Sequence, residues 1–271
     1  MTSLLGLLCG FAVIIGGALS DSDPLSSLFS LTALIIVIGG SFSALLTQFG
    51  IGQVLIGLKG ILWLVKPPRT DLEKFIEQVA EWSSLARSQG TLALENILAE
   101  VRDPFQQKGL QMIIDNTSPE DLPGLLYVMS EKTGRFEETP AEVWEAAGGY
   151  SPTIGVMGAV LGLIHVMMRL NHPEELGAGI ATAFVATIYG VGFANLIALP
   201  LGSRLKHLAH ELERERHVVI QGFVLMAEGK PGIVIRQNLA SFLDGKGKEK
   251  TPEQVPGDSA AAAPDAAEQA A

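Results

Sequence analysis

Residues 148–170 read GGYSPTIGVMGAVLGLIHVMMRL, a run without an acidic residue. As a helix rising 1.5 Å per residue, it is long enough to cross a hydrocarbon layer of roughly 30 Å. Backbone polar groups inside a bilayer must be satisfied within the segment, so such a run folds as a helix. Gly155, Gly158, Ala159 and Gly162 fall at i, i+3, i+4 and i+7, which places four small residues on one helical face. That face admits a second backbone at close range. Pro152 is expected near the helix start, where a missing N–H costs little.

Together with residues 152–168 of this run, residues 4–19, 28–49 and 178–201 make four apolar segments. Each is near the roughly 17–25 residues a membrane helix needs. With 48% hydrophobic and 18% charged residues, the composition is that of a polytopic membrane protein. The first segment is the shortest. Ala18-Leu19-Ser20 offers a signal-peptidase-like site, but Met1-Thr2-Ser3 lacks the basic n-region of a signal, so the segment reads as a retained helix. Cys9 is the only cysteine and can form no intrachain disulfide.

Lysine and arginine set the orientation. Asp21, Asp23, Glu174 and Glu175 occupy the two short connections, and Arg169 is the only basic residue near either. Lys59, Lys66, Arg69, Arg204 and Lys206 flank the opposite ends. By the positive-inside rule, both termini and the middle section are expected in the cytoplasm of a multi-pass protein. The net charge of −10 is inflated by an acidic tail, and no basic stripe suits nucleic acid.

Residues 51–65 continue the second apolar run into an interfacial stretch with Lys59 and Trp63, which Pro67-Pro68 ends. Beyond it, Leu72, Phe75, Ile76, Val79, Trp82 and Leu85 follow the 3.6 period. Further helices are expected over 91–101, 105–114 and from Ser118-Pro119 onward, with no alternating pattern for strands. The expected fold is all-α, with four transmembrane helices and a helical cytoplasmic domain between the second and third. Its divisions are 1–65 (first hairpin and interfacial extension), 66–147 (cytoplasmic domain), 148–203 (second hairpin), 204–244 (helical extension) and 245–271. The last lacks the apolar residues a core requires and is expected to be disordered.

Local signatures of zinc hydrolysis, serine hydrolysis, ATP use and thiol redox chemistry are missing: HExxH, GxSxG, a Walker A loop and CxxC do not occur. Neither an enzyme activity nor a metal or cofactor is expected. The four spans contain no Asp or Glu, and His165 is their one ionisable candidate. A proton-binding carboxylate must therefore come from another polypeptide. Gly179, Ala183, Ala186, Gly190, Ala194 and Ala198 form a second small-residue ridge, with Thr182, Thr187 and Asn195 able to hydrogen-bond. Packing alone accounts for any one of these residues; together the two ridges describe a groove for a foreign helix bearing an acid. Outside the membrane, Arg87 and Glu95 flank Gly90, a helix break, and can present opposite charges on one edge.

GGYSPTIGVMGAVLGLIHVM followed by GIATAFVATIYGVGFANLIALPLGSRLK resembles the last two membrane helices of the flagellar motor stator protein MotA and its relatives MotC, MotP and PomA. AEWSSLARSQGTLALENIL resembles that family's charged cytoplasmic stretch, and the likeness extends to about Leu243. The resemblance implies an inner-membrane subunit in a homo-oligomer, five copies around two of a MotB-type partner that carries the ion-binding aspartate. It also implies torque on the rotor through FliG. The family's functional Arg and Glu fall on Arg87 and Glu95, and its two functional prolines on Pro152 and Pro200. Sodium-type relatives carry Thr at the position of Ala159, so alanine there favours protons over sodium; Thr187 occurs in both types. Alternatives are an energiser of outer-membrane transport similar to ExbB or TolQ, a passive membrane scaffold or channel, and an intramembrane enzyme.

Overall fold

A computed structural model of the chain describes residues 29–68, 70–168, 171 and 173–244, with residues 6, 9, 10, 12, 13, 16 and 17 of the first apolar segment. Among them every regular element is helical. In chain order these are α1 (Leu31–Val65), α2 (Leu72–Gln89), α3 (Glu95–Leu98), α4 (Pro104–Ile114), α5 (Leu122–Met167), α6 (Pro173–Gly192), α7 (Leu199–Ala227) and α8 (Gly232–Asp244). Among the described residues three stretches are long and apolar enough to cross a membrane: Leu31–Val65, Leu122–Met167 and Gly179–Ala227. Most of the expected first span, the acidic connection at Asp21 and Asp23, Arg69, Arg169 and the tail 245–271 lie outside the described residues. Gly10 of the first segment faces α6–α7: a Cβ there would stand 3.2 Å from Leu196 Cδ2.

Local chemistry explains the boundaries. Asp71 caps α2 by accepting from the Lys74 N–H at 3.1 Å, and the helix ends at Gly90, whose φ of +88° suits glycine. Asp103 caps α4 with two bonds, from the Phe105 and Gln106 N–H groups at 2.8 and 3.0 Å, and Pro104 opens the helix. Asp103→Ala is expected to cost about 1 kcal/mol, measured as a lowered thermal midpoint in detergent, whereas Asp103→Asn keeps the cap and most of the stability.

Three boundaries differ from expectation. Residues 91–101 do not form one helix: a 3-10 turn, Thr91–Leu94, leads into the single turn α3. Leu94 is fully buried in the core, and Asp103 before Pro104 is extended, so the chain turns within a few residues to reach α4. Ser118-Pro119 does not begin a helix. Ser118 Oγ donates to the Asp121 carboxylate at 2.7 Å and accepts from its N–H at 3.1 Å, closing a turn, and α5 begins at Leu122 with Pro123 in its first turn. Pro152 does not mark a helix start either, because α5 runs through both Pro140 and Pro152. The ring's fixed φ suits a helix, and the missing N–H leaves only the Gly148 carbonyl without its helical donor.

Three apolar clusters form among the described residues, the smallest packing Ala33 and Val37 of α1 against Val185 and Ala186 of α6. The head core joins α2, α4, α7, α8 and the start of α5 around Phe75, Trp82 and Phe223, with Phe75 and Phe223 edge to face at 5.7 Å. The second core, nearer the spans, packs Leu45 and Val54 of α1 against Ala141, Trp144, Ala147 and Leu205. There the Trp144 indole N–H donates to the Gly57 carbonyl at 3.0 Å. Between Ser30 and Val65, α1 contains a π turn, Ile35–Gly39, and a kink at Gly50, where φ is 73° and ψ 164°.

Candidate functional site

α5 and α6 cross antiparallel with their backbones nearly in contact. A Cβ on Gly155 would lie 2.9 Å from the Ala186 carbonyl oxygen and 3.0 Å from Gly190 Cα; one on Gly190 would lie 2.5 Å from the Ser151 oxygen. Gly162 meets Ala183 in the same way, and Gly158 sits between Ala186 and Ile36. The small residues of both helices thus form one seam.

The seam decides which side of the pair is open. In an antiparallel pair, the residue after each contact position turns about 100° toward the same side on both helices. Pro152, Val156, Ala159 and Leu163 follow Ser151, Gly155, Gly158 and Gly162, while Ile180, Phe184, Thr187 and Val191 follow Gly179, Ala183, Ala186 and Gly190. All eight therefore share one side. α1 covers the other, through Ile154 against Gly40 and Ile36 against Gly158. On the open side Val156, Leu163, Ile180, Phe184 and Val191 are 39–66% exposed, with Pro152, Ala159 and Thr187 half-buried among them. It is an apolar groove of helical length with one hydroxyl, that of Thr187, level with Ala159.

At the groove's head end α5 carries Pro152 within its continuous helix, and α6 gives way to a π turn. Ser151 meets Gly190 and Gly148 meets Leu199, so Pro152 is level with the π turn Phe193–Ala198 that joins α6 to α7. Pro200 follows this turn and is exposed. Its missing N–H leaves the Leu196 carbonyl without its usual donor, a local reason for the widened turn. Ser151 Oγ, beside Pro152, is wholly buried and has no hydrogen-bond partner. Asn195 turns its amide back to the Val191 carbonyl at 2.9 Å. His165 is exposed in the last turn of α5.

Arg87 and Glu95 lie on the head, in the last turn of α2 and at the start of α3, on either side of Gly90. Both are exposed, and among the described residues neither has an ion-pair partner. Each sits where the helix dipole favours its sign, so neither needs a local counter-charge. No group of His, Cys, Asp or Glu among the described residues is arranged to hold a metal.

Sequence reasoning missed a buried ion pair. The Arg216 guanidinium, 7% exposed, donates to the Glu137 carboxylate at 2.6 Å and to Ser130 Oγ at 3.2 Å. Glu137 stands fifteen residues to the head side of Pro152, outside the apolar part of α5. Burial pushes its carboxyl above the usual carboxylate range, against the pull of the Arg216 bond and charge. The signal was legible: Leu205, Leu208, Leu212, Val219 and Phe223 form an apolar stripe at three-to-four spacing, and Arg216 interrupts it.

Residues 98–217 match the MotA/TolQ/ExbB proton channel family. Motility protein A of Bacillus subtilis is 32% identical over 255 residues, covering 93% of this chain and 94% of that protein. Among solved structures, Campylobacter jejuni MotAB superposes with a TM-score of 0.80 at 26% identity, over 94% of this chain and 99% of that one. The flagellar MotAB stator complex from Bacillus subtilis does so with 0.77 at 30% identity, over 89% and 94%. Similarity thus runs through head, groove and helical extension alike, and the chain is a membrane-bound member of the motility protein A family, within the MotA/TolQ/ExbB proton channel proteins.

Proposed function

We propose that this chain is the channel-forming subunit of a flagellar stator, which with a MotB-type partner couples proton flow across the bacterial inner membrane to torque on the rotor. The observation that carries the reading is the open α5–α6 groove, which has the length and apolarity to take a foreign helix yet offers no carboxylate of its own. The partner's membrane helix fills it and brings the ion-binding aspartate beside Ala159 and Thr187. Pro152 and the π turn before Pro200 are the places where both walls can bend as that acid gains and loses its ion.

On this reading the protein has four spans, with both termini cytoplasmic and the head inserted between the second and third. Several copies, five around two partners, surround the partner helices. Ala159 supplies no oxygen for a dehydrated cation, which suits protons rather than sodium. Arg87 and Glu95 are the charges offered to FliG.

Reversing both charges, Arg87→Glu with Glu95→Lys, is expected to leave the amount of protein in the membrane unchanged, because both side chains are exposed and have no ion-pair partner among the described residues. Swimming is expected to weaken and to recover in part when the facing FliG charges are reversed as well. Membrane immunoblots and soft-agar expansion, in cells dependent on this stator, read the two effects; undiminished swimming argues against a rotor contact at this edge.

A further inference from the structure

The head core and the span-proximal core do not merge. On α5 the head core ends at Leu126 and the second begins at Ala141; on α7 the second core ends at Leu205 and the head core begins at Val218. Between them lies a mixed layer, in which α7 still buries Leu208, Ala209 and Leu212 beside a polar contact. Arg216 spans two turns of α5 by reaching both Ser130 and Glu137, and the neighbouring Glu215 accepts from the Thr70 N–H at 2.7 Å. A cavity of about 360 Å³ opens beside it, lined by Arg216, Glu137 and Thr133 and by the apolar Met129, Leu212 and Val219.

The position of the layer matters. Arg216 is sixteen residues beyond Pro200 and Glu137 fifteen before Pro152, so the pair sits about 22–24 Å along the helices from the two prolines. Nearer the membrane the close approach of Gly202 to the Ala141 and Glu145 backbone fixes the register of α7 on α5, and farther out Leu208 and Leu212 add shape but no directional bond. A charge-assisted bond of 2.6 Å, combined with a second acceptor two turns away, discriminates strongly between axial registers. Without the pair, α5 and α7 could slip here, where a cavity leaves room, and a bend at the membrane would be absorbed before it reached the head.

We propose that Arg216 and Glu137 are positioning residues that hold α5 and α7 in one axial register across this layer, so that bending at Pro152 and the π turn moves the head carrying Arg87 and Glu95. The proposal rests on the stator reading above. It separates two quantities that a purely stabilising pair would leave linked, namely ion flow through the groove and torque delivered by the head.

The test uses the full complex with its MotB-type partner in motile cells lacking their own stator. The Glu137→Leu/Arg216→Met double variant replaces the pair with apolar side chains of similar size, which buried ion pairs commonly tolerate without loss of stability. Membrane amount and proton conduction of the unplugged complex are expected to stay at the level of the unaltered protein, while stall torque in a bead assay falls about twofold or more. The reversed pair, Glu137→Arg/Arg216→Glu, is expected to regain part of the torque. Full torque in the apolar double variant overturns the proposal, as does a parallel fall in conduction and torque. If the unaltered complex neither conducts nor turns a rotor, the stator reading fails and takes this proposal with it, an outcome visible before any variant is compared.

Discussion

Replacing Gly190 by valine is expected to abolish swimming and to reduce the folded protein recovered from the membrane. Even the first added carbon would stand 2.5 Å from the Ser151 carbonyl oxygen and 2.9 Å from Gly155 Cα. Both obstacles are backbone, so no rotamer change relieves them and the helices must part. Overpacking of this kind costs about 1–3 kcal/mol, and parting α5 from α6 also loosens the contacts of Gly155, Gly158 and Gly162 along the same seam. Gly192, two residues on, has nothing within 4 Å of its Cβ position, so Gly192→Ala serves as the tolerated control. Membrane immunoblots and thermal unfolding in nanodiscs separate loss of folding from loss of function. Normal assembly and swimming by Gly190→Val would mean that the helices do not approach this closely.

The other large effect is expected from Glu137→Leu alone. It leaves the Arg216 guanidinium buried with only Ser130 to accept from it, while one of its nitrogens already lacks a partner. Removing one member of a buried pair costs about 3–5 kcal/mol, because the remaining charge is uncompensated. The thermal midpoint is expected to drop well below that of the unaltered protein and to recover when Arg216→Met is added. A single variant as stable as the double would show that water reaches this layer.

What could be read from the sequence was whatever a local pattern determines. Apolar runs of bilayer length announced the long helices and Gly90 with Asp103-Pro104 announced breaks in the head, whereas the small-residue ridges of 155–162 and 179–190, expected to line a groove for a foreign helix, close on each other as the α5–α6 seam and leave the groove to the residues that follow them. The interruptions inside helices were harder to read. Pro152 looks like a start because proline is favoured at one, yet tertiary packing carries α5 straight through it, and the π turn at Phe193–Ala198 has no composition of its own. Nor could the open side of the groove be seen in advance. It depends on α1 lying against Ile154 and Gly158, a contact between residues more than a hundred positions apart. Arg216 was hidden by habit: a charged residue in a charged helix reads as solvated until its neighbours' apolar spacing is counted.

The central claim is that the acid-free α5–α6 groove becomes an ion path only when another chain supplies the carboxylate. Its most direct test is proton flux into vesicles holding this chain with an unplugged MotB-type partner, compared with the chain alone and with a partner whose membrane aspartate is changed to asparagine. The account predicts flux in the first case and none in the other two; equal flux from the chain alone, or from the complex with the asparagine partner, would contradict it.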